Sequence, residues 1–477
     1  MINKVLYILV FVIGSYSCHQ VKNPINKMSS LEVEFKLGNF QKVSILSDSL
    51  KIAFPGDSIL AWKLDSLTDM CHRISVDFSL SEEQINARLQ KVMGDFTPEK
   101  KTQWENEGLL EYRMINGEKR YFNRAATNLR LLLAHRERMQ NPSADIRPDA
   151  TDSFRIELAK RAISGNAGGQ PVHPVNIRIK YTLTVDADAV PAGETVRCWL
   201  PFPKESHARQ QDIQLIRTFP ETHVIAPDSA GQRSLYLEQT ASAGKPAVFE
   251  MELSYRPFAQ YFNLDSIPRL PYNTSSTLYR RYTAEEKPHH VFTDKIRQLS
   301  DSILKGETNP VEKVRKIYYW INTHIPWAGA LEYSTMPNIP EYVMDNRHGD
   351  CGMQTLLFMT LARYNGIPVK WQSGWYFFPD QVNLHDWCEV YYEGTGWVPL
   401  DMSFGLLPSE NRQIREYYIS GIDPYRFIVN DATGSPFIPS KKHLRSETVD
   451  FQRGEVEWRG GNLYFDQWNY HMEVSGD

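Results

Sequence analysis

The most constraining feature of this chain is a change of hydrophobic period at a Gly- and Pro-containing linker, residues 164–171. Before it, Leu60, Leu64, Leu67, Cys71 and Ile74 recur at helical steps, and Val43, Leu46 and Leu50 do so more weakly. After it, residues 175–185 and 249–255 alternate with period two, as half-buried strands do. Helical stripes return at Asn309-Pro310, where Pro opens a helix carrying Val314, Ile317, Tyr318 and Ile321. One packed layer cannot bury both patterns, so the expected class is multidomain α+β. The expected parts are a helical domain over 19–165, an antiparallel β-sandwich over 172–260, a mixed α+β core over 280–430 and a C-terminal β extension over 431–477. Within the helical part, Asn116-Gly117 between two short runs signals a hairpin.

Composition narrows the function. Hydrophobic residues make up 42% and aromatics 12%, enough for real cores. A net charge of −4 implies no basic face, so nucleic acid is not an expected partner. Five cysteines among 477 residues exclude a disulfide scaffold, and no CxxC or Cys/His pairing suggests zinc. Cys198 and Cys71 read as small core hydrophobes.

The N-terminus reads as a signal segment over 1–18. One Lys precedes an apolar run well short of the roughly 20 residues a membrane helix needs. Ser15-Tyr16-Ser17-Cys18 resembles the relaxed lipoprotein box of Bacteroidetes. That resemblance implies cleavage before Cys18, lipidation of its thiol, and an exported chain anchored to the cell envelope by lipid.

The chemistry concentrates between Gly349 and Asp401. Asp350 is placed to cap a helix that begins at Cys351 and stops at Asn365-Gly366-Ile367-Pro368. A thiol at a helix start feels the positive end of the dipole, which favours thiolate. His385-Asp386-Trp387-Cys388-Glu389-Val390 reads as a strand, with His385, Trp387 and Glu389 on one face and Asp386 and Cys388 on the other. After a Glu393-Gly394-Thr395-Gly396 turn, the partner strand ends at Asp401, within reach of the His385 ring. A carboxylate on one imidazole nitrogen fixes the tautomer and leaves the other for a thiol. Trp371, Trp375, Tyr376, Phe377 and Phe378 are expected to fill the core in part and can also line a cleft.

These residues resemble the transglutaminase-like superfamily. The resemblance rests on Gly349-Asp350-Cys351, Ala362-Arg363-Tyr364-Asn365-Gly366-Ile367-Pro368, His385-Asp386-Trp387-Cys388-Glu389-Val390 and Gly396-Trp397-Val398-Pro399-Leu400-Asp401, over about 285–405. It implies Cys351 as nucleophile, His385 as general base and acid, and Asp401 as the orienting carboxylate. It also suggests Trp327 as an oxyanion candidate through its indole N–H, although packing against the core is the role expected of it first and the backbone N–H of Cys351 is the expected donor. Asp386 and Cys388 depart from the family pattern, and neither is expected to touch the triad. No acidic cluster matches the calcium sites of animal relatives, so no metal or cofactor is expected.

The implied reaction is acyl transfer on amide bonds of proteins or peptides through a thioester. Hydrolysis is expected ahead of amine transfer by a protein-glutamine gamma-glutamyltransferase; a non-catalytic surface binding module is the other alternative. The short interval from Cys351 to His385 does not fit papain-like proteases. Arylamine N-acetyltransferases need an Arg-Gly-Gly motif and cytosolic coenzyme A, which this chain does not suggest.

Overall fold

The computed structural model describes residues 24–141, 148–165, 168–379 and 381–476. The signal segment and Cys18 lie outside the described residues. No described helix is long and apolar enough to cross a membrane.

Contacts divide the chain into two units: a small one ending at Cys71 and taking in Met114–Glu118, and a large one of His72–Arg113 and the chain from Lys119 onward. The expected helical domain of 19–165 is therefore not a single body. The small unit holds the helices Pro24–Lys36 and Phe40–Ala53, in which Val43 and Leu50 are buried as their spacing predicts. The division falls within the long helix Ser58–Asp77. Past that point the helices bond to the α+β core. The Asn128 amide, on Ala125–Gln140, both donates to the Gly329 carbonyl and accepts from its N–H, each at 2.8 Å. The Asn116-Gly117 turn has positive φ at both residues, 51° and 82°, which Asn and Gly tolerate best.

The sandwich is built from two antiparallel sheets. One runs, in spatial order, Gly461–Leu463, Glu455–Trp458, Thr195–Pro201, Ser234–Thr240 and His223–Ile225. The other runs Trp468–Gly476, Ile177–Val185, Ala247–Pro257 and Gln210–Phe219. Ile177, Ile179, Tyr181, Leu183 and Val185 all face inward, as the alternation requires. The C-terminal segment contributes strands to both sheets. Trp468–Gly476 pairs along the whole of Ile177–Val185, and Glu455–Trp458 pairs with Thr195–Pro201. Its strands find partners only because the sandwich offers two edges, a long-range pairing that local periodicity does not reveal.

The third layer is a four-stranded antiparallel sheet in the order Gly396–Leu400, Gln381–Tyr392, Val369–Phe378 and Arg426–Asn430. The helix Cys351–Tyr364 packs on it, buried from Gly352 to Arg363. The helix Pro310–His324 buries Val314, Ile317, Tyr318 and Ile321 completely. Trp375, Phe377, Phe427 and Val429 of the third sheet join the sandwich residues in one apolar core. Trp371, Trp375, Tyr376, Phe377 and Phe378 are all buried, so they fill core rather than line a cleft. Cys198 and Cys388 are fully buried.

Candidate active site

Asp350 is extended (φ −83°, ψ −167°), and its carboxylate accepts from the Met353 N–H at 3.1 Å, so the helix begins at Cys351. Ahead of it, Gly349 N donates to the Pro326 carbonyl at 3.2 Å, and Ala328 N to the Gly349 carbonyl at 3.1 Å. This short parallel bridge brings Trp327 to the thiol's cavity, where its side chain is 44% exposed. The cavity is about 160 Å³, and Trp327, Cys351, Tyr333, Asp386, Asp450 and Arg453 are among its lining residues.

His385 and Asp401 meet as their strands align. His385 Nε2 donates to Asp401 Oδ2 at 2.7 Å, and both side chains are buried. Arg426 Nη1 donates to the same Oδ2 at 2.8 Å. The other oxygen, Oδ1, accepts from the backbone N–H groups of Ser403 (3.2 Å) and Phe404 (3.1 Å). Burial alone would push the Asp401 carboxyl up, but His385 and Arg426 hold it well below the usual carboxylate range. Burial lowers the His385 pKa against the opposing pull of Asp401, so the imidazole is a neutral base at pH 7. With Nε2–H committed to Asp401, Nδ1 keeps its lone pair. The ring is packed among Phe404 (4.6 Å between centroids), Tyr376 (5.2 Å) and Trp387 (5.9 Å).

The thiol is placed differently from expectation. Among the described residues no hydrogen bond joins Cys351 Sγ to the His385 ring. Sγ instead donates to Asp386 Oδ2 at 3.4 Å. Asp386 was expected to avoid the triad because it faces away from His385. It does face away, but the start of the helix meets the strand on that side. Nor does the helix dipole leave a thiolate here. Burial, then the charges of Asp386 and Asp350, raise the Cys351 pKa well above its ordinary value.

Sequence reasoning missed the groups around this pair. Gln452 Nε2 donates to the His385 carbonyl (2.8 Å) and to Asp386 Oδ1 (2.7 Å). Tyr333 Oη donates to Asp350 Oδ1 at 2.5 Å and lies 3.4 Å from Asp386 Oδ2. Only Asp386 left a signal, as a departure from the family pattern. Gln452, Tyr333 and Arg426 reach the site through long-range folding.

Gly352 makes the crowding possible. A Cβ there would sit 2.2 Å from Tyr333 Oη and 2.6 Å from Asp386 Oδ2. Gly352→Ala is expected to displace both groups and lower stability by about 1–3 kcal/mol, the usual range for overpacking. Thermal denaturation measures it; an unchanged melting temperature would show that the two side chains yield freely.

Asp77, buried behind the cavity wall, supplies a pH test. Burial first, then the charge of Glu332, raises its carboxyl to about 7, although it accepts the Glu332 N–H at 3.0 Å. A carboxyl raised in the folded state contributes stability that is complete below about pH 4 and lost as pH rises toward 7. Asp77→Asn is expected to raise the melting temperature at pH 8 but not at pH 4. Equal shifts at both pH values would contradict this.

Comparison with known proteins places the domain. Residues 297–402 match the family model of the Transglutaminase-like superfamily, a span that contains Cys351 and His385 and extends past Asp401. The chain thus carries a transglutaminase-like core domain, joined here to a sandwich and helices. It is similar to a protein-glutamine gamma-glutamyltransferase of Pseudomonas aeruginosa, 22% identical over 188 residues, 37% of this chain and 27% of that protein. It is also similar to the uncharacterized protein YebA of Bacillus subtilis, 17% identical over 246 residues, 45% of this chain and 33% of that one. The chain therefore spans a third or less of the length of either relative. Among solved structures, one from Cytophaga hutchinsonii, described as a proposed cysteine protease, aligns at a TM-score of 0.43 and 15% identity, covering 64% of this chain and 91% of that one. The periplasmic domain of TgpA from Pseudomonas aeruginosa aligns at 0.26 and 15%, covering 52% and 91%.

Proposed function

We propose that this protein is a cysteine-nucleophile acyl-transfer enzyme acting on amide bonds of proteins or peptides. The observation that carries this reading is the buried His385–Asp401 pair, one residue along the strand from the carboxylate that the Cys351 thiol touches. Once the thiol turns from Asp386 to Nδ1, His385 takes its proton and the sulfur attacks the amide carbonyl. The S–C bond forms, His385 returns the proton to the leaving amine, and a thioester remains. The backbone N–H of Cys351, at the first helical position, has no intrahelical partner and is the proposed donor to the developing oxyanion. Trp327, at the same cavity, is the second proposed donor. An acceptor then attacks the thioester, giving its proton to His385, and the thiol is regenerated.

Water is the proposed acceptor, and the cavity of about 160 Å³ beside the thiol has room for it. Amine transfer is the second reading, favoured by similarity to the Pseudomonas aeruginosa protein named for it. We further propose that the mature chain begins at lipidated Cys18 and is held at the cell envelope; mass spectrometry of the native N-terminus tests this.

The deciding experiment traps the acyl-enzyme of the purified protein with a peptide library, with and without an added primary amine. A thioester at Cys351 that resolves to acid supports hydrolysis, and one that resolves to the amide supports transfer. No adduct with any peptide would support a binding module instead.

A further inference from the structure

We infer that Asp386 is a positioning residue that keeps the Cys351 thiol protonated and docked away from His385 until a substrate enters the cavity. The inference rests on the proposed role of Cys351 as nucleophile. Its basis is geometric. The thiol donates to Asp386 Oδ2 at 3.4 Å, and that carboxylate is 1% exposed. It is fixed from two directions: Gln452 Nε2 holds Oδ1 at 2.7 Å, and Tyr333 Oη lies 3.4 Å from Oδ2. Gln452 holds the His385 carbonyl with the same amide nitrogen, so the residues that define both faces of the strand are locked together. Gly352 leaves room for this arrangement and for nothing larger.

The charges around Asp386 reinforce the docked state. Asp350 caps the nucleophile helix, Asp450 and Glu447 approach from the C-terminal segment, and Glu332 precedes Tyr333. Arg453 and Arg124 are cations set against them; Arg453 is engaged by Glu332 (2.7 Å) and Glu447 (2.9 Å), and Arg124 lines the cavity and acts on Asp350 and Glu332. Burial, then the charges of Asp450 and Asp350, push the Asp386 carboxyl up. The Asp386 carboxyl is nevertheless the first cause after burial that raises the Cys351 thiol, so replacing it removes both the acceptor of the thiol proton and the charge that opposes a thiolate once that carboxyl ionises. A substrate that inserts between sulfur and carboxylate does the same by separating them, which leaves the thiol free to turn to His385.

The test is alkylation of Cys351 by iodoacetamide between pH 5 and pH 10, read at that residue by mass spectrometry. Asp386→Asn keeps the shape and removes the charge. It is expected to move the rise of alkylation with pH down by about one unit and so raise the rate at pH 9 about 10-fold. Asp386→Ser, smaller and also uncharged, is expected to shift that rise in the same direction, and melting temperatures identify folded variants. An unchanged pH dependence in both variants, or a slower reaction at pH 9, overturns the inference. If alkylation shifts as expected while no peptide acylates the wild-type protein, the proposed function fails and the control of the thiol by Asp386 stands.

Discussion

Asp401→Asn is expected to lower turnover per folded molecule by about 100-fold or more, on the peptide substrate that acyl-enzyme trapping identifies. The carboxylate has two tasks that an amide cannot combine. Its Oδ2 accepts from both His385 Nε2 and Arg426 Nη1, and its Oδ1 accepts from the Ser403 and Phe404 N–H groups. An amide NH₂ must occupy one of these positions and face donors there. The substitution therefore loosens the imidazole, and it stabilises an imidazolium less well than a carboxylate does. It also costs stability, so turnover must be normalised to the folded fraction read from thermal denaturation. His385→Ala is expected to lose at least as much, because it removes the proton carrier. Combined with Asp401→Asn it should lose little more, since the groups act as one unit. A lower melting temperature with normal turnover of the folded fraction would make Asp401 purely structural.

The site was legible in the sequence where its parts are local, and not where they depend on the sheet. Asp350 as a cap, Cys351 as the first helical residue, and the tight turn that brings Asp401 to His385 all follow from short-range rules. So does the assignment of His385 and Asp386 to opposite strand faces. What the alternation cannot say is which face receives the start of the helix, and that alone decides whether the thiol first meets His385 or Asp386. The sandwich shows the same limit. Its central strands announced themselves by period two, but nothing near residues 455–476 says that they complete both sheets. The helical region divides at His72 because later helices bond to the α+β core, a preference carried by residues such as Asn128 whose partner lies some two hundred positions away.

Arg426→Met is expected to be the most destabilising single change near the site, by about 3–5 kcal/mol. The guanidinium is 2% exposed and serves two carboxylates that are themselves fully buried. Nη1 binds Asp401, while Nε and Nη2 bind Asp423 at 3.1 and 2.6 Å. Its plane also lies 4.2 Å from the Phe404 ring centroid, so Met replaces some of the packing but none of the charge. What remains is an uncompensated buried carboxylate, which is the costly outcome of breaking such a cluster. The deficit should depend on pH with a definite sign. A carboxyl held low in the folded state contributes stability that is present above its unfolded pKa, near 3.9, and lost as pH falls through the folded value. Asp401 is such a group, and Arg426 is among the causes. The gap in melting temperature between wild type and Arg426→Met should therefore hold from pH 7 to about pH 4 and narrow below that, as pH falls toward the folded value of Asp401. Arg426→Lys, which keeps the charge but not the fork, should recover part of the gap at pH 7. A gap that stays constant below pH 4 as well would assign the loss to packing against Phe404 and leave the Asp401 charge to His385 alone.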